Sequence, residues 1–261
     1  MMPRKDLAVW IVVPTLNEAK SIIPLLSRIE HEMRGVQCFV CVVDDGSKDG
    51  TVSRARAFGK AIPKSNPTFR VHVLERRKGH RGSQRGGAVL AGLKYGLDHS
   101  LCNLFVEMDA DLAHQAEELK LGISEIEERG YNVAIASKYL PGSRVLNRPF
   151  QRHILSFLLN WLMQRFITSK IRDFSNGFRF YDSTSARLLC ERGIRYTSPI
   201  YLTDTLTALL ASELRVVEFP STYVERKEGT SKLSLIDILK AGVALPEITL
   251  RYRLAKKSVG R

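Results

Sequence analysis

Residues 104–119 read "LFVEMDADLAHQAEEL", and their order decides the architecture. An apolar run of strand type ends directly on Asp109 and Asp111, and from Ala116 onward the apolar spacing is helical. A buried strand that exits through polar residues into a helix is the repeating unit of a parallel sheet, whose strands need a crossover to return. The two carboxylates have two readings. They are turn and cap residues, or they hold a cation, because like charges kept close cost free energy unless something neutralises them.

The same unit recurs on both sides. "LAVWIVVPT" (7–15), "CFVCVVDDG" (38–46), "FRVHVLER" (69–76) and "NVAIASKYL" (132–140) read as further strands. Helical spacing fills the gaps at "AKSIIPLLSRIEHEM" (19–33), with Pro24 near its first turn or kinking it, at "GSQRGGAVLAGLKYGLDH" (82–99) and at "AEELKLGISEIEERG" (116–130). A helix capped near Asp49 follows the second strand. The expected class is α/β, with a mostly parallel central sheet flanked by helices. In such sheets ligands bind off the carboxyl ends of the strands. Here those ends carry "PTLNE" (14–18), "VDDGSKDGT" (43–51) and "MDADLAH" (108–114), so the acidic motifs gather on one edge.

After residue 140 the pattern changes. "RHILSFLLNWLMQRFI" (152–167) is a dense apolar helix, too short for a bilayer, and "GFRFYDSTSARLL" (177–189) is a short strand leading into a helix. "LRVVEFPSTYVERKEGTSKLS" (214–234) reads as strand, proline break, strand and basic loop. "LSLIDILKAGVALPEITLRYRLAKK" (233–257) is an amphipathic helical stretch, interrupted at Pro246 and ending in positive charge. The division expected is a main domain over 1–235 and a basic amphipathic segment over 236–261.

The chain has 261 residues, of which 44% are hydrophobic and 26% charged, the balance of a folded globular protein. A net charge of +13 favours partners that carry phosphate: nucleotides, nucleic acid or an anionic membrane surface. Nucleic acid is set aside, since the positive residues are scattered and no helix-turn-helix, zinc or RNP pattern is present. Cys38 and Cys41 have C-x-x-C spacing inside an apolar run, with no second Cys/His pair at zinc-like distance, so core thiols and a reducing cytoplasm are expected. The N-terminus shows no signal-peptide core, and no apolar run reaches the roughly 20 residues of a membrane span. The glycine-rich "RKGHRGSQRGGAVLAG" (77–92) fits neither the dinucleotide nor the Walker pattern.

At the second strand exit, Asp44 and Asp49 suit an Asx turn and a helix cap, whereas Asp45 can also accept from a base N–H or a ribose hydroxyl. Mg2+ and Mn2+ take few carboxylates plus substrate phosphates and water, which Asp109 and Asp111 could provide beside a diphosphate. Arg226 and Lys232 flank a glycine loop, either as a solvated turn or as a flap closing on a diphosphate.

Taken in order, "VVPTLNEA", "VVDDGSKDGT", "RKGHRGSQRGGA", "MDADLAH", "SKYLPG", "RHILSFLLN", "DFSNGFRFY" and "VERKEGTSKL" resemble the family-2 glycosyltransferases, most closely the dolichol- and polyprenyl-phosphate mannose synthases. The resemblance runs from about residue 8 to residue 235. It implies the GT-A fold of nucleotide-diphospho-sugar transferases. It also implies nucleoside contacts at Pro14, Leu16, Glu18, Val43 and Asp45, and ribose, metal and diphosphate contacts at Asp109, Ala110 and Asp111. Arg226 and Lys232 become the flap cations and Arg152 and Ser156 the acceptor-phosphate contacts, with Lys138 serving donor or acceptor phosphate. Three positions depart from the family. Leu16 replaces a tyrosine, Ala113 replaces a residue that can help with metal, and Lys138 replaces an arginine and so loses its bidentate fork.

The implied enzyme is an inverting hexosyltransferase, dependent on Mg2+ or Mn2+, that moves mannose from GDP-mannose to a polyprenyl or dolichyl monophosphate. A phosphate monoester with a second pKa near ~6 is already a nucleophile at neutral pH, so no dedicated base is required. The expected location is the cytoplasmic face of a membrane, bound peripherally or through a membrane-embedded partner subunit. The alternatives are a soluble acceptor or UDP-sugar donor, and a non-catalytic nucleotide-sugar-binding subunit.

Overall fold

The structure is a computed structural model describing residues 7–62, 66–76, 85–147, 149–196, 198–225 and 235–259, without the side chains of 151, 152, 235–241, 258 and 259. Its strands are β1 (Ala8–Thr15), β2 (Gln37–Asp44), β3 (Phe69–Glu75), β4 (Leu104–Glu107), β5 (Val133–Ser137), β6 (Arg144–Leu146), β7 (Arg179–Asp182), β8 (Val216–Pro220) and β9 (Thr222–Val224). Its helices are α1 (Ile22–Glu32), α2 (Thr51–Ala61), α3 (Arg85–His99), α4 (Leu119–Glu127), α5 (Phe150–Phe166), α6 (Ser183–Arg192), α7 (Tyr201–Ala211) and α8 (Leu235–Val259).

Seven strands form one sheet in the order β3-β2-β1-β4-β7-β5-β8, and β6 pairs with β9 in a small second sheet. Within the large sheet β7 runs antiparallel to β4 and β5, and the other pairs are parallel. The sheet is therefore mixed but mostly parallel. The reversal has a functional consequence: β7 begins, at Arg179, opposite the last residue of β4, Glu107. The turn that leads into β7 thus lies on the edge where the parallel strands end.

The period of 2 along each strand divides the core into two layers. Val9, Ile11, Val13, Cys38, Val40, Val42, Leu104 and Val106 pack on the α1 and α4 side. Trp10, Val12, Cys41, Val43 and Phe105 pack on the α3 side. Cys38 and Cys41 therefore face opposite layers and cannot share a metal. Both are buried thiols, with Cys41 pushed by burial up to about 12. Gly92 and Gly96 let α3 lie directly on β1, and the Trp10 indole N–H reaches the Gly92 carbonyl at 3.0 Å.

Two elements were not legible in the pattern, and a third runs further than expected. The strand β6 has only three residues, and α7 is buried on nearly every side, which erases the amphipathic period. Helix α8 continues through Pro246 instead of breaking there. The carbonyl that loses its partner is that of Gly242, on the exposed side, while Ala244 and Ile248 on the other side are held against Ile200.

Close approach makes Gly122 intolerant: a Cβ there would overlap the Phe180 ring, whereas nothing lies within 4 Å of one at Gly242. We expect Gly122→Ala to cost about 1–3 kcal/mol by overpacking, and Gly242→Ala to be neutral or to gain up to ~1 kcal/mol from helix propensity. Urea denaturation of both variants reads the difference, and equal stabilities would contradict the close packing of α4 on β7.

Candidate active site

The first two strand exits are joined by hydrogen bonds. Asp44, buried, accepts from the Gly46 and Ser47 N–H groups at 2.9 and 2.8 Å and so closes the turn after β2. Asp49 accepts from the Thr51 N–H at the start of α2 and from the Ala19 N–H at 2.9 Å, tying that turn to the loop after β1. Glu18 accepts from the Ser21 hydroxyl at 2.9 Å at the start of α1. Asp45 stands on the same edge, partly exposed, and pairs with Arg76 just beyond β3 at 2.9 Å. Pro14 lies opposite Val43 in the register, Leu16 is partly exposed, and Val43 is fully buried beneath the edge.

The end of β4 holds a denser arrangement. Glu107 is almost fully buried, and its carboxylate accepts from the Tyr181 hydroxyl at 3.1 Å, from the Tyr201 hydroxyl and from Arg85 Nη1. Burial pushes this carboxyl up, against the pull of Arg85 and Arg179. Arg85, the first residue of α3, also donates from Nε to Asp109 Oδ1 at 2.6 Å. The Asp109 N–H donates to His114 Nδ1 at 3.1 Å, so the other ring nitrogen carries the proton and meets Asn176 Oδ1 at 3.1 Å. Burial raises the Asp109 carboxyl, but Arg85 more than offsets this and holds it below the ordinary carboxylate value. Asp111 Oδ1 accepts from the Ala113 N–H at 3.0 Å, and Leu112 between them has a φ of 65°. Ala110 and Ala113 are buried, and the Ala113 carbonyl accepts from the Val224 N–H of β9 at 3.0 Å. Ala113, fully buried, offers no ligating group.

On the other side of the edge, Lys138 is buried, with Nζ 3.9 Å from Asp173 Oδ2 and 4.9 Å from the centre of the Tyr223 ring. Ser156 on α5 is buried too. Its hydroxyl accepts from the Tyr139 hydroxyl at 2.8 Å and lies 2.9 Å from that of Ser175. The structure thus brings Asp109, Lys138, Asp173 and His114 into one neighbourhood, with Ser156 joined to it through Ser175 and Asp173. Arg152 belongs to α5, but its side chain lies outside the described residues, as do Arg226 and Lys232 entirely. Glu107, Arg85, His114 and Asn176 were not singled out from the sequence. The one legible signal was Glu107 itself, an acid closing an otherwise apolar strand, which demands a buried partner.

Among the described residues no group of three His, Cys, Asp or Glu side chains could enclose a metal. Asp109 and Asp111 still fit Mg2+ or Mn2+ of the kind that takes one or two carboxylates and completes its shell with phosphate oxygens and water. They do not fit a closed, all-protein site.

The sequence matches the family described as Glycosyl transferase family 2 over residues 10–189. It is 32% identical to a polyprenol monophosphomannose synthase of Mycolicibacterium smegmatis over 246 residues, covering 94% of this chain and 88% of the relative. It is 30% identical to an undecaprenyl-phosphate mannosyltransferase of Micrococcus luteus over 252 residues, covering 93% of this chain and 97% of the relative. Among solved structures, the glucosyl-3-phosphoglycerate synthase of Mycobacterium tuberculosis, in complex with Mn2+, UDP-glucose and phosphoglyceric acid, superposes with a TM-score of 0.68. That match covers 94% of this chain and 80% of the other at 14% identity, so the likeness is one of fold.

Burial pushes the His114 imidazole down to about 4; Asp109 pulls it up, and Arg85 and Lys138 press it further down. Because the folded value lies below the unfolded 6.5, this stability is complete above pH 6.5 and is lost as pH falls towards 4. We expect wild type to lose roughly 2–4 kcal/mol more than His114→Gln across that window in chemical denaturation. Parallel pH curves for the two proteins would contradict the neutral, buried ring.

Proposed function

The chain belongs to glycosyl transferase family 2, and on that premise we propose that it moves a hexose from a nucleotide-diphosphate sugar to a polyprenyl or dolichyl monophosphate, with inversion at the anomeric carbon. Mannose is the sugar we assign first, by analogy with the mycobacterial and micrococcal relatives, and GDP-mannose is the donor that the resemblance of the sequence motifs implies. The observation that carries the lipid acceptor is the two-sided character of α5. Its inner side, Ser156 and Asn160, touches Tyr139 and the turn beside Lys138, while its outer side exposes Phe150, Ile154, Phe157, Leu158 and Trp161. Exposed rings and branched chains at helical spacing, with Arg165 exposed on the same helix, suit the surface of an anionic membrane. None of the described helices is long and apolar enough to cross one. We place the protein peripherally on the cytoplasmic face, bound there directly or through a membrane-embedded subunit.

Asp109 and Asp111 are assigned to Mg2+ or Mn2+, which when bound supplies charge neutralisation to the departing diphosphate. The loop from Pro14 to Glu18 and Asp45 are assigned to the nucleoside, with Val43 and Ala110 buried at the same edge. Arg152, Arg226 and Lys232 are assigned to the two sets of phosphates. Lys138, held against Asp173, supplies positive potential from below without leaving its ion pair. The acceptor phosphate needs no base, so the task of these residues is alignment and neutralisation.

A second reading has its own support. The Ser156 hydroxyl and the Lys138 ammonium both lie inside, engaged with protein groups, so neither is presented as an acceptor-phosphate contact. With Leu16 in place of a stacking ring, a soluble phosphorylated acceptor or a UDP-sugar donor is the alternative.

The test is incubation with Mn2+ and labelled GDP-mannose, UDP-glucose or UDP-N-acetylglucosamine, with a polyprenyl phosphate or a soluble phosphorylated acceptor. We expect label in the organic phase, reduced by about 100-fold or more in Asp111→Ala. Label only in the aqueous product would establish the second reading, and binding without transfer a non-catalytic subunit. In flotation with anionic vesicles, Phe157→Ser/Trp161→Ser should partition about 100-fold or more weakly than wild type, since each ring contributes about 1.5–3 kcal/mol when buried. Equal flotation would remove α5 from the membrane contact.

A further inference from the structure

We propose that Glu118 is a positioning residue for sugar transfer: its carboxylate holds β9 in place and, through Tyr223, fixes the Lys138 ammonium. This rests on the glycosyl-transfer reading and deepens it. Glu118 ends the single turn Ala116–Glu118 and stands at the N-cap of α4, yet its side chain makes no capping bond to that helix. Both of its oxygens are directed instead to the corner between β8 and β9. Oε2 accepts from the Ser221 hydroxyl at 2.5 Å and Oε1 from the Thr222 N–H at 2.6 Å, 103 and 104 residues away in sequence. Short hydrogen bonds to a carboxylate are the strong kind.

β9 needs such a hold. It has three residues and pairs with β6, which is no longer, and a two-stranded pair is marginal in water by itself. Two further ties locate β9, and both run to the segment after β4. Glu118 takes its first N–H, and the Ala113 carbonyl accepts from its last, that of Val224, at 3.0 Å. Tyr223 lies between these ties. Its ring stands 4.9 Å from Lys138 Nζ and 5.9 Å from the His114 ring. Tyr223 and Asp173 thus both constrain the ammonium. Without Glu118, the Thr222 N–H and the buried Ser221 hydroxyl lose their acceptor, and β9 keeps only one of the two ties that set the height of Tyr223 over Lys138. A cation that neutralises developing charge must be well placed, since a shift of about 1 Å can cost about 100-fold in rate. The loops assigned to the nucleoside leave β1 and β2, on the far side of β4 from β5 and β8. The loss therefore falls on turnover and spares donor binding.

The experiment combines steady-state kinetics on the active donor and acceptor with amide hydrogen exchange at Thr222 and Val224, for wild type, Glu118→Ala, Glu118→Gln and Ser221→Ala of the full chain. Glu118→Ala should lower kcat by about 10-fold or more and leave KM for the nucleotide sugar within about 2-fold. Exchange at Thr222 and Val224 should quicken by about 10-fold or more in the same variant. Glu118→Gln still accepts from the Thr222 N–H, so it should recover most of kcat and of the protection. Ser221→Ala removes one of the two bonds without touching Glu118; it should shift kcat and exchange in the same direction by less, and it decides the matter if Glu118→Ala does not fold. A glutamate that served stability alone would leave the turnover of the folded fraction unchanged. The inference is overturned if folded Glu118→Ala turns over like wild type, if its donor KM rises as far as kcat falls, or if exchange at Thr222 and Val224 is unchanged. Wild type that transfers no sugar from any nucleotide donor would overturn the proposed function itself, whereas normal wild-type transfer with an unchanged Glu118→Ala would overturn this inference alone.

Discussion

A carboxylate buried at the end of an apolar strand must be neutralised where it stands, and Glu107 imposes that condition on everything around it. Its partners come from three separate elements: Arg85 opens α3, Tyr181 lies in β7 and Tyr201 opens α7. Satisfying one charge therefore fixes the first turn of α3, the register of the antiparallel strand and the approach of α7. Arg179, opposite Glu107 in the register and just as buried, directs its donors to the carbonyls of Asn176, Leu202 and Phe174. The polar interior is continuous from the strand end to the turn before β7. Asp109, the first residue of the site with an exposed face, is the outermost member of that network.

The turn over residues 173–177 is the second fixed point. Asp173 accepts from the Lys138, Ser175 and Asn176 N–H groups, and Glu218 of β8 accepts from the Arg172 and Asp173 N–H groups at 2.7 Å each. Asn176 then reaches His114 beside the aspartates. Site and scaffold are therefore the same set of hydrogen bonds. The antiparallel strand makes this possible, because only a strand running backwards starts on the edge where its neighbours finish.

The parallel half of the fold was legible because β1, β2 and β4 are apolar along nearly their whole length and polar at their exits: each ends within a few residues of an aspartate or glutamate. The aspartate pair was legible for the same reason, as charge at a strand exit. What stayed hidden was pairing across distance. Nothing in "RGSQRGGAV" says that Arg85 will lie on Glu107 and Asp109, and Lys138 looks available until Asp173 and Tyr223 close over it. Ser156 is similar: helical spacing put it on α5, but only packing shows that its hydroxyl faces Tyr139 and Ser175. The segment with Arg226 and Lys232 lies outside the described residues, so the flap remains a reading of the sequence alone.

The most direct measurement is anomalous diffraction at the manganese edge from crystals grown with Mn2+ and the nucleoside diphosphate of the active donor. A peak at about 2.0–2.3 Å from a carboxylate oxygen of Asp109 or Asp111, touching the diphosphate, is the result that follows from the chemistry described above. A peak remote from both aspartates would contradict it.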